Sequence, residues 1–147
     1  MKYIVYTDAA ASVPKDISGC SYLILTDSLY IHSDSIRVRG LTNPKQAETI
    51  SIGLAAAHLI DNVKLEAGDT VEFNVDSFSA IQFCSDALAD HSSIVMCGAK
   101  QVINSIKVLR LLDDKCNINF QKVRGHKERI NPNTFVDRLA KIAIRRE

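Results

Sequence analysis

Apolar and polar positions along this chain alternate at strand spacing in some stretches and recur at helical spacing in others. Lys2 to Thr7, KYIVYT, is a run of β-formers closed by Asp8. Three alanines and Ser12 follow, and Pro14 and Gly19 mark a loop. Cys20 to Leu25 is a second apolar run, and Thr26-Asp27-Ser28 reads as a turn. A return strand starts at Leu29 to Ile31 and can run on to Val38, which completes an antiparallel meander. Thr42-Asn43-Pro44 then signals a helix start, with Asn43 as cap, Pro44 in the first turn and Gln46 placed for a capping-box-like contact. That helix is apolar nearly all round to about Ile60, the pattern of a buried helix.

The second half of the chain alternates between the two spacings. VEFNV is a strand that ends at Asp76, and a short helix is expected over Ser77–Ala89. A further helix, about Gln101 to Leu112, places Val102, Ile106, Leu109 and Leu112 on one stripe. Asn117 to Val123 alternates as a strand, with Ile118 and Phe120 on one side. Asn131-Pro132 repeats the cap-and-proline signal and opens a final helix. Its expected core stripe is Phe135, Leu139 and Ile142, with Arg138, Lys141 and Arg145 on another face. The order βββ-α-β-α-α-β-α predicts an α/β fold: a five-stranded mixed sheet, three antiparallel strands then two parallel, with helices on both faces.

Length and composition add bounds. A chain of 147 residues, 46% hydrophobic and 24% charged, fits one globular domain spanning residues 1–147. No run approaches the roughly 18 apolar residues of a membrane span, and the N-terminal apolar run is too short for a secretory leader. Cys20, Cys84, Cys97 and Cys116 lie in apolar settings without metal-ligand spacing, so reduced thiols and a cytoplasmic location are expected. The net charge of +1 hides an asymmetry. From Gln121 to Glu147 there are eight basic residues against three acidic, so an acidic body carries a basic C-terminal face. Such a face suits an anionic partner, although a solvated helix face is the commoner meaning of the pattern.

The candidate chemistry lies in the carboxylates. Asp8 and Asp76 both end β runs, and adjacent first and fourth strands would bring them out at the same sheet edge. Glu48 lies in the first turns of one helix and Asp137 near the start of another. Each alone has an ordinary explanation: a turn residue, a favourable charge at a helix N-terminus, or an ion pair of Asp137 with Arg138, Lys141 or Arg124. Together they would repel one another unless hard cations lay between them. Two such ions form a clamp for in-line phosphoryl displacement.

Four local motifs then bear on family. They are YTDAAAS, TNPKQAE, NVDSFSAI, and VRGH followed by Asn133 and DRLAKIA. In this order, and on these elements, the chain resembles the type 1 ribonuclease H family over nearly its full length. The resemblance implies a ribonuclease H-like fold and a metal-binding quartet of Asp8, Glu48, Asp76 and Asp137. It implies that Asp8 bridges two Mg²⁺ ions, with Mn²⁺ as a substitute. Asp137 would help hold the ion that activates water, and Glu48 and Asp76 the ion nearer the leaving 3′ oxygen. His126 would assist proton transfer or product release. The implied reaction is endonucleolytic hydrolysis of the RNA strand of an RNA–DNA hybrid, leaving 5′-phosphate and 3′-hydroxyl ends, by a monomer without a protein partner.

The residues expected to meet the nucleic acid are Ser12, Asn43, Ser77, Arg124, Lys127, Asn133, Arg138 and Lys141. The chain departs from the family pattern in places. Asn43 stands five residues before Glu48 with Pro44 between, and the gap from His126 to Asp137 is one residue longer than expected. No glycine-rich run follows Asp8, and no tryptophan-bearing basic handle separates the middle helices. Two other readings are another nuclease on the same fold, such as a junction resolvase or exonuclease, and a non-catalytic nucleic-acid-binding module.

Overall fold

A computed structural model describes residues 1–27, 29–89, 100–123 and 131–145. Its elements follow the predicted order: β1 (Lys2–Ser12), β2 (Ile17–Thr26), β3 (Leu29–Arg39), α1 (Pro44–Asn62), β4 (Thr70–Val75), α2 (Phe78–Ala89), α3 (Lys100–Lys115), β5 (Asn117–Lys122) and α4 (Pro132–Arg145). The five strands form one mixed sheet in the order β3-β2-β1-β4-β5. β1, β2 and β3 are antiparallel neighbours, while β4 runs parallel to both β1 and β5. Helices α1 and α4 both pack on β1 and β2, and α3 packs on α1.

Pairing explains which side chains face which helix. Val5 lies opposite Ile24, and Thr7 opposite Tyr22. Val5, Tyr22 and Ile24 join Ile52, Leu59, Val71, Phe73, Ile106, Leu109 and Leu112 in the main core. The alternate positions, Gly19 and Ser21 among them, face α4, as their contacts with Ala140 and Val136 show. The predicted stripe of α3, Val102, Ile106, Leu109 and Leu112, is buried throughout. Helix α1 is also buried over most of its length, as its all-round apolar character predicts. Cys20, Cys84 and Cys116 are buried; Cys97 lies outside the described residues.

Both cap signals operate. Asn43 Oδ1 accepts from Gln46 N at 3.1 Å with Pro44 in the first turn. Asn131 Oδ1 accepts from Thr134 N at 3.0 Å, and Asn131 N donates to Thr134 Oγ1 at 2.8 Å.

Two expectations need correction. β1 does not stop at Thr7 but runs to Ser12, because Ala9 to Ser12 go on pairing with Ile17 to Cys20 of β2 after the β4 ladder has ended. The buried stripe of α4 is not Phe135, Leu139 and Ile142 but Asn133, Val136, Ala140 and Ala143. Phe135 and Ile142 stand exposed. A Cβ at Gly19 would overlap the Ala140 carbonyl oxygen, so α4 lies very close to β2 and only small side chains fit beneath it. The far end of α4 is tied down as well, by Arg37 Nε donating to Ala143 O at 3.0 Å.

Away from the acids, His32 of β3 and His58 of α1 stack, with ring centroids 3.9 Å apart and planes within 1°. Burial, and then the neighbouring His32, hold the His58 pKa below its ordinary value, against the opposing pull of Asp34 and Asp61. A histidine depressed in the folded state binds its proton more readily when unfolded. Its share of stability is therefore full above the ordinary histidine pKa of about 6.5 and is lost as pH falls through that value. Thermal midpoints at pH 7.5 and 5.5 should show a larger acid loss in the native protein than in His58→Gln. Equal losses would remove the stack as the cause.

Candidate functional site

The last paired residues of the β1–β4 ladder are Thr7 and Val75. The next residues are Asp8, which is still within β1 and paired with β2, and Asp76, just past β4, so the two lie side by side where the β1–β4 pairing ends. Glu48 comes from the second turn of α1 and Asp137 from the early turns of α4. Asp8 is 5% exposed and Glu48 6%, while Asp76 and Asp137 are half-buried.

The local bonds show how closely these groups sit. Ala9 N donates to Asp8 Oδ1 at 2.9 Å and to Glu48 Oε1 at 3.1 Å, so one N–H serves both acids. The carboxyls of Asp8 and Glu48 are in hydrogen-bonding contact with each other, and Asp8 also meets Asp137. Asp76 acts on Glu48 through space. Burial pushes Asp8 up to about 6, with Asp137 adding to the rise and the bonds from Glu48 and Ala9 opposing it. Glu48 goes up to about 9, from burial first and then from the charge of Asp8. Asp137 Oδ2 is held on its other side by Lys141 Nζ at 3.0 Å, one of the partners the sequence offered.

Two ionised carboxylates offer each other only acceptors. Glu48 Oε2 is buried and has no donor among the described groups. The pair can be satisfied by a proton held between them or by a cation. The donor set consists entirely of carboxylate oxygens, which suits a hard divalent ion such as Mg²⁺ better than a softer metal. Among the described residues no three His, Cys, Asp or Glu side chains already surround one point as ligands. The fit therefore rests on the orphaned oxygen and the oxygen-only chemistry.

The pKa directions give a test. A carboxyl raised on folding contributes stability that is complete at low pH and is lost as pH rises through its folded value. Without divalent ions, the native protein should thus lose thermal stability from about pH 4, where the unfolded carboxyls ionise, with the share of Asp8 gone by about pH 6 and that of Glu48 by about pH 9. Glu48→Gln should flatten that fall and melt above the native protein at pH 9 in EDTA. A lower melting point at pH 9 would show that the pair is not strained.

The other expected site residues are distributed as follows. Ser12 lies four positions beyond Asp8 on β1, roughly 13 Å along the strand. Asn43 and Ser77 serve as helix caps, Ser77 Oγ accepting from Ala80 N at 3.1 Å. Asn133 is buried, and its Oδ1 has no partner among the described residues. Arg138 and Lys141 line a shallow groove of about 370 Å³ with Asp137, Ile142 and Arg145. Arg124, His126 and Lys127 lie outside the described residues. A second groove, of about 400 Å³, lies beside Ser77 and is lined by Lys45, Phe78, Ser79, Gln82, Phe83 and Asp86. Its exposed Phe78 and the Lys45 ammonium, 5.2 Å from the Phe83 ring centroid, lie within the motifs NVDSFSAI and TNPKQAE, but the sequence assigns neither a role.

The sequence matches the RNase H family model over residues 1–145. Two solved structures are similar in fold. One is RNase H1 from the halophilic archaeon Halobacterium salinarum, with a TM-score of 0.68 and 16% identity over 99% of this chain and 98% of that one. The other is the N-terminal RNase H domain of a Mycobacterium tuberculosis protein, solved as a fusion with maltose-binding protein, with a TM-score of 0.71 and 16% identity over 98% of this chain and 94% of that one. Comparison with curated protein sequences gives no match. Among the described residues no helix is long and apolar enough to cross a membrane.

Proposed function

Because the chain belongs to the ribonuclease H family, we propose that it is an endoribonuclease that cleaves the RNA strand of RNA–DNA hybrids with two Mg²⁺ ions. Residues 1–147 would act as one catalytic domain, as a monomer. The observation that supports this reading is the contact of Asp8 with Glu48 and Asp137, three carboxyls from separate elements, with Asp76 near enough to act on Glu48 through space. Buried carboxyls held this close together are costly in a fold that needs them only for stability.

Asp8, Glu48, Asp76 and Asp137 would hold the ions. When bound, Mg²⁺ lowers the pKa of water and offsets the negative charge that develops on phosphorus. The chain's own residues set the conditions for this. Glu48 must give up its proton, and Asp8 must stay ionised between Glu48 and Asp137. Lys141 balances Asp137 from the outer side. His126 would assist proton transfer or product release. The products would carry 5′-phosphate and 3′-hydroxyl ends. Arg138, Lys141 and Arg145 offer a basic edge for phosphates beside the acids. Phe78 and Lys45 offer an aromatic surface and a cation on the α2 side of them.

A panel of labelled substrates tests the reading. RNA–DNA hybrid, duplex DNA, duplex RNA and a four-way junction are each incubated with the protein and Mg²⁺ or Mn²⁺. Selective hybrid cleavage is expected. Preference for the junction would instead favour a resolvase on the same fold, and binding without cleavage a non-catalytic module.

The basic edge has its own consequence. Replacing Arg138 and Lys141 together by alanine should raise KM and reduce the slope of log(kcat/KM) against log[salt] by about two, one for each lost phosphate contact. An unchanged slope would place the substrate elsewhere.

A further inference from the structure

Two fully buried serines stand beside the acids, and no motif marks either. Ser51 lies on α1, three residues after Glu48, and its Oγ donates to Asp8 O at 2.8 Å, with Ala47 O farther away at 3.2 Å. Ser21 lies on β2, directly opposite Asp8 in the β1–β2 register. Its Oγ donates to Val136 O at 2.5 Å, and Asp8 O lies 3.3 Å from the same hydroxyl. Both serines are 0% exposed. We propose that Ser21 and Ser51 are positioning residues that hold the carboxylate-bearing backbones together: Ser51 fixes Asp8 to α1, and Ser21 fixes α4 at the residue before Asp137.

The proposal rests on reading the four acids as the metal-holding set. Asp137 meets Asp8, and its ion pair with Lys141 at 3.0 Å lies within α4 and so adds no bond between that helix and the sheet. Among the described residues, the side chains that α4 itself buries are Asn133, Val136, Ala140 and Ala143, three of them apolar and without directional bonds. The Ser21 hydroxyl provides direction at Val136, next to the acid. Ser51 does the same for Asp8 from the opposite helix, so the Asp8 carbonyl lies between two hydroxyls from different elements. Alanine would fill either position about as well, and a buried hydroxyl is unfavourable unless bonded. The hydroxyls are thus explained by the bonds they make.

A matched control is available on the same strand. Ser18 is also 0% exposed, and its Oγ donates to Leu41 O at 2.5 Å. It stands opposite Ala11, three residues beyond Asp8. Ser18→Ala removes a buried hydroxyl-to-carbonyl bond of the same length without touching a backbone that carries an acid.

The experiment is a Mn²⁺ titration of the full chain, without substrate, read by electron paramagnetic resonance of free Mn²⁺ and by thermal shift. Native protein, Asp8→Asn, Ser18→Ala, Ser21→Ala, Ser21→Cys and Ser51→Ala are compared. Ser21→Ala and Ser51→Ala should need at least about fivefold more Mn²⁺ for half-saturation. Ser18→Ala should stay within about twofold of the native protein while losing a similar amount of metal-free stability. Ser21→Cys, with a weak donor of similar size, should fall between, and it decides the matter if Ser21→Ala does not fold. Half-saturation equal to the native value in the Ser21 and Ser51 variants overturns the tether alone. So does an equal rise in Ser18→Ala. A native protein with no more saturable binding than Asp8→Asn overturns the metal reading and the tether with it.

Discussion

Asp8→Asn is expected to lose hybrid cleavage by about 10³-fold or more while the metal-free protein becomes more stable. The two halves of the result have one cause. Asp8 is buried, touches Glu48 and Asp137, and is pushed up to about 6, so at pH 8 the folded protein holds an unfavourable charge there. The amide keeps the shape and removes the charge. A gain of about 2 kcal/mol in EDTA is a reasonable scale for removing such strain, or a rise of about 4–8 °C in melting temperature for a chain of this size. Divalent ions should reverse the ranking. Saturating Mn²⁺ at a hundred times its dissociation constant adds about 2.7 kcal/mol to a protein that binds it only when folded. Asp8→Asn should gain little. Differential scanning fluorimetry in EDTA and in Mn²⁺, beside the cleavage assay, checks both halves. A variant that melts lower in EDTA would mean that Asp8 supports the fold. Cleavage that survives the substitution would point to another nuclease in the preparation.

The parts of this site that could be read from the chain are those where chemistry and local structure coincide. Asp8 and Asp76 follow β runs, and parallel pairing of β1 with β4 puts them side by side. Asn43-Pro44 and Asn131-Pro132 start helices by a local mechanism, which fixes the turns that carry Glu48 and Asp137. What could not be read depends on contacts between distant elements. Ser21 looks like a weak member of an apolar strand until the register sets it opposite Asp8 and under Val136. Ser51 looks like an interruption in a buried helix until β1 lies against it. The buried stripe of α4 departs from its apolar spacing for a related reason. Large apolar residues are the usual sign of a core face, but close approach to β2 selects small ones and leaves Phe135 and Ile142 outside. Sequence spacing identifies the helix here; the distance to the sheet decides which face is buried.

That distance gives the second large effect, at Gly19. A Cβ there would overlap the Ala140 carbonyl oxygen and lie 2.9 Å from its carbon and 3.2 Å from Ala143 Cβ. Backbone cannot turn aside as a flexible side chain can, so α4 must move outward or β2 must bend. Overpacking of this kind costs about 3 kcal/mol at the upper end of the usual range, which is roughly 6–12 °C in melting temperature. The effect should reach the acids, because Asp137 is about one turn before Ala140 on the same helix, so a displaced α4 carries it away from Asp8. A shift of about 1 Å in a reacting group can lower turnover by about 10²-fold. Gly19→Ala should therefore melt lower, need more Mn²⁺ and turn over slowly even at temperatures where it remains folded. Gly68→Ala is the control: an added Cβ there meets nothing within 4 Å, and a change of under about 1 kcal/mol is expected. If Gly19→Ala melts lower but keeps native kcat and native Mn²⁺ half-saturation, the seating of α4 on β2 supports the fold without governing the position of Asp137.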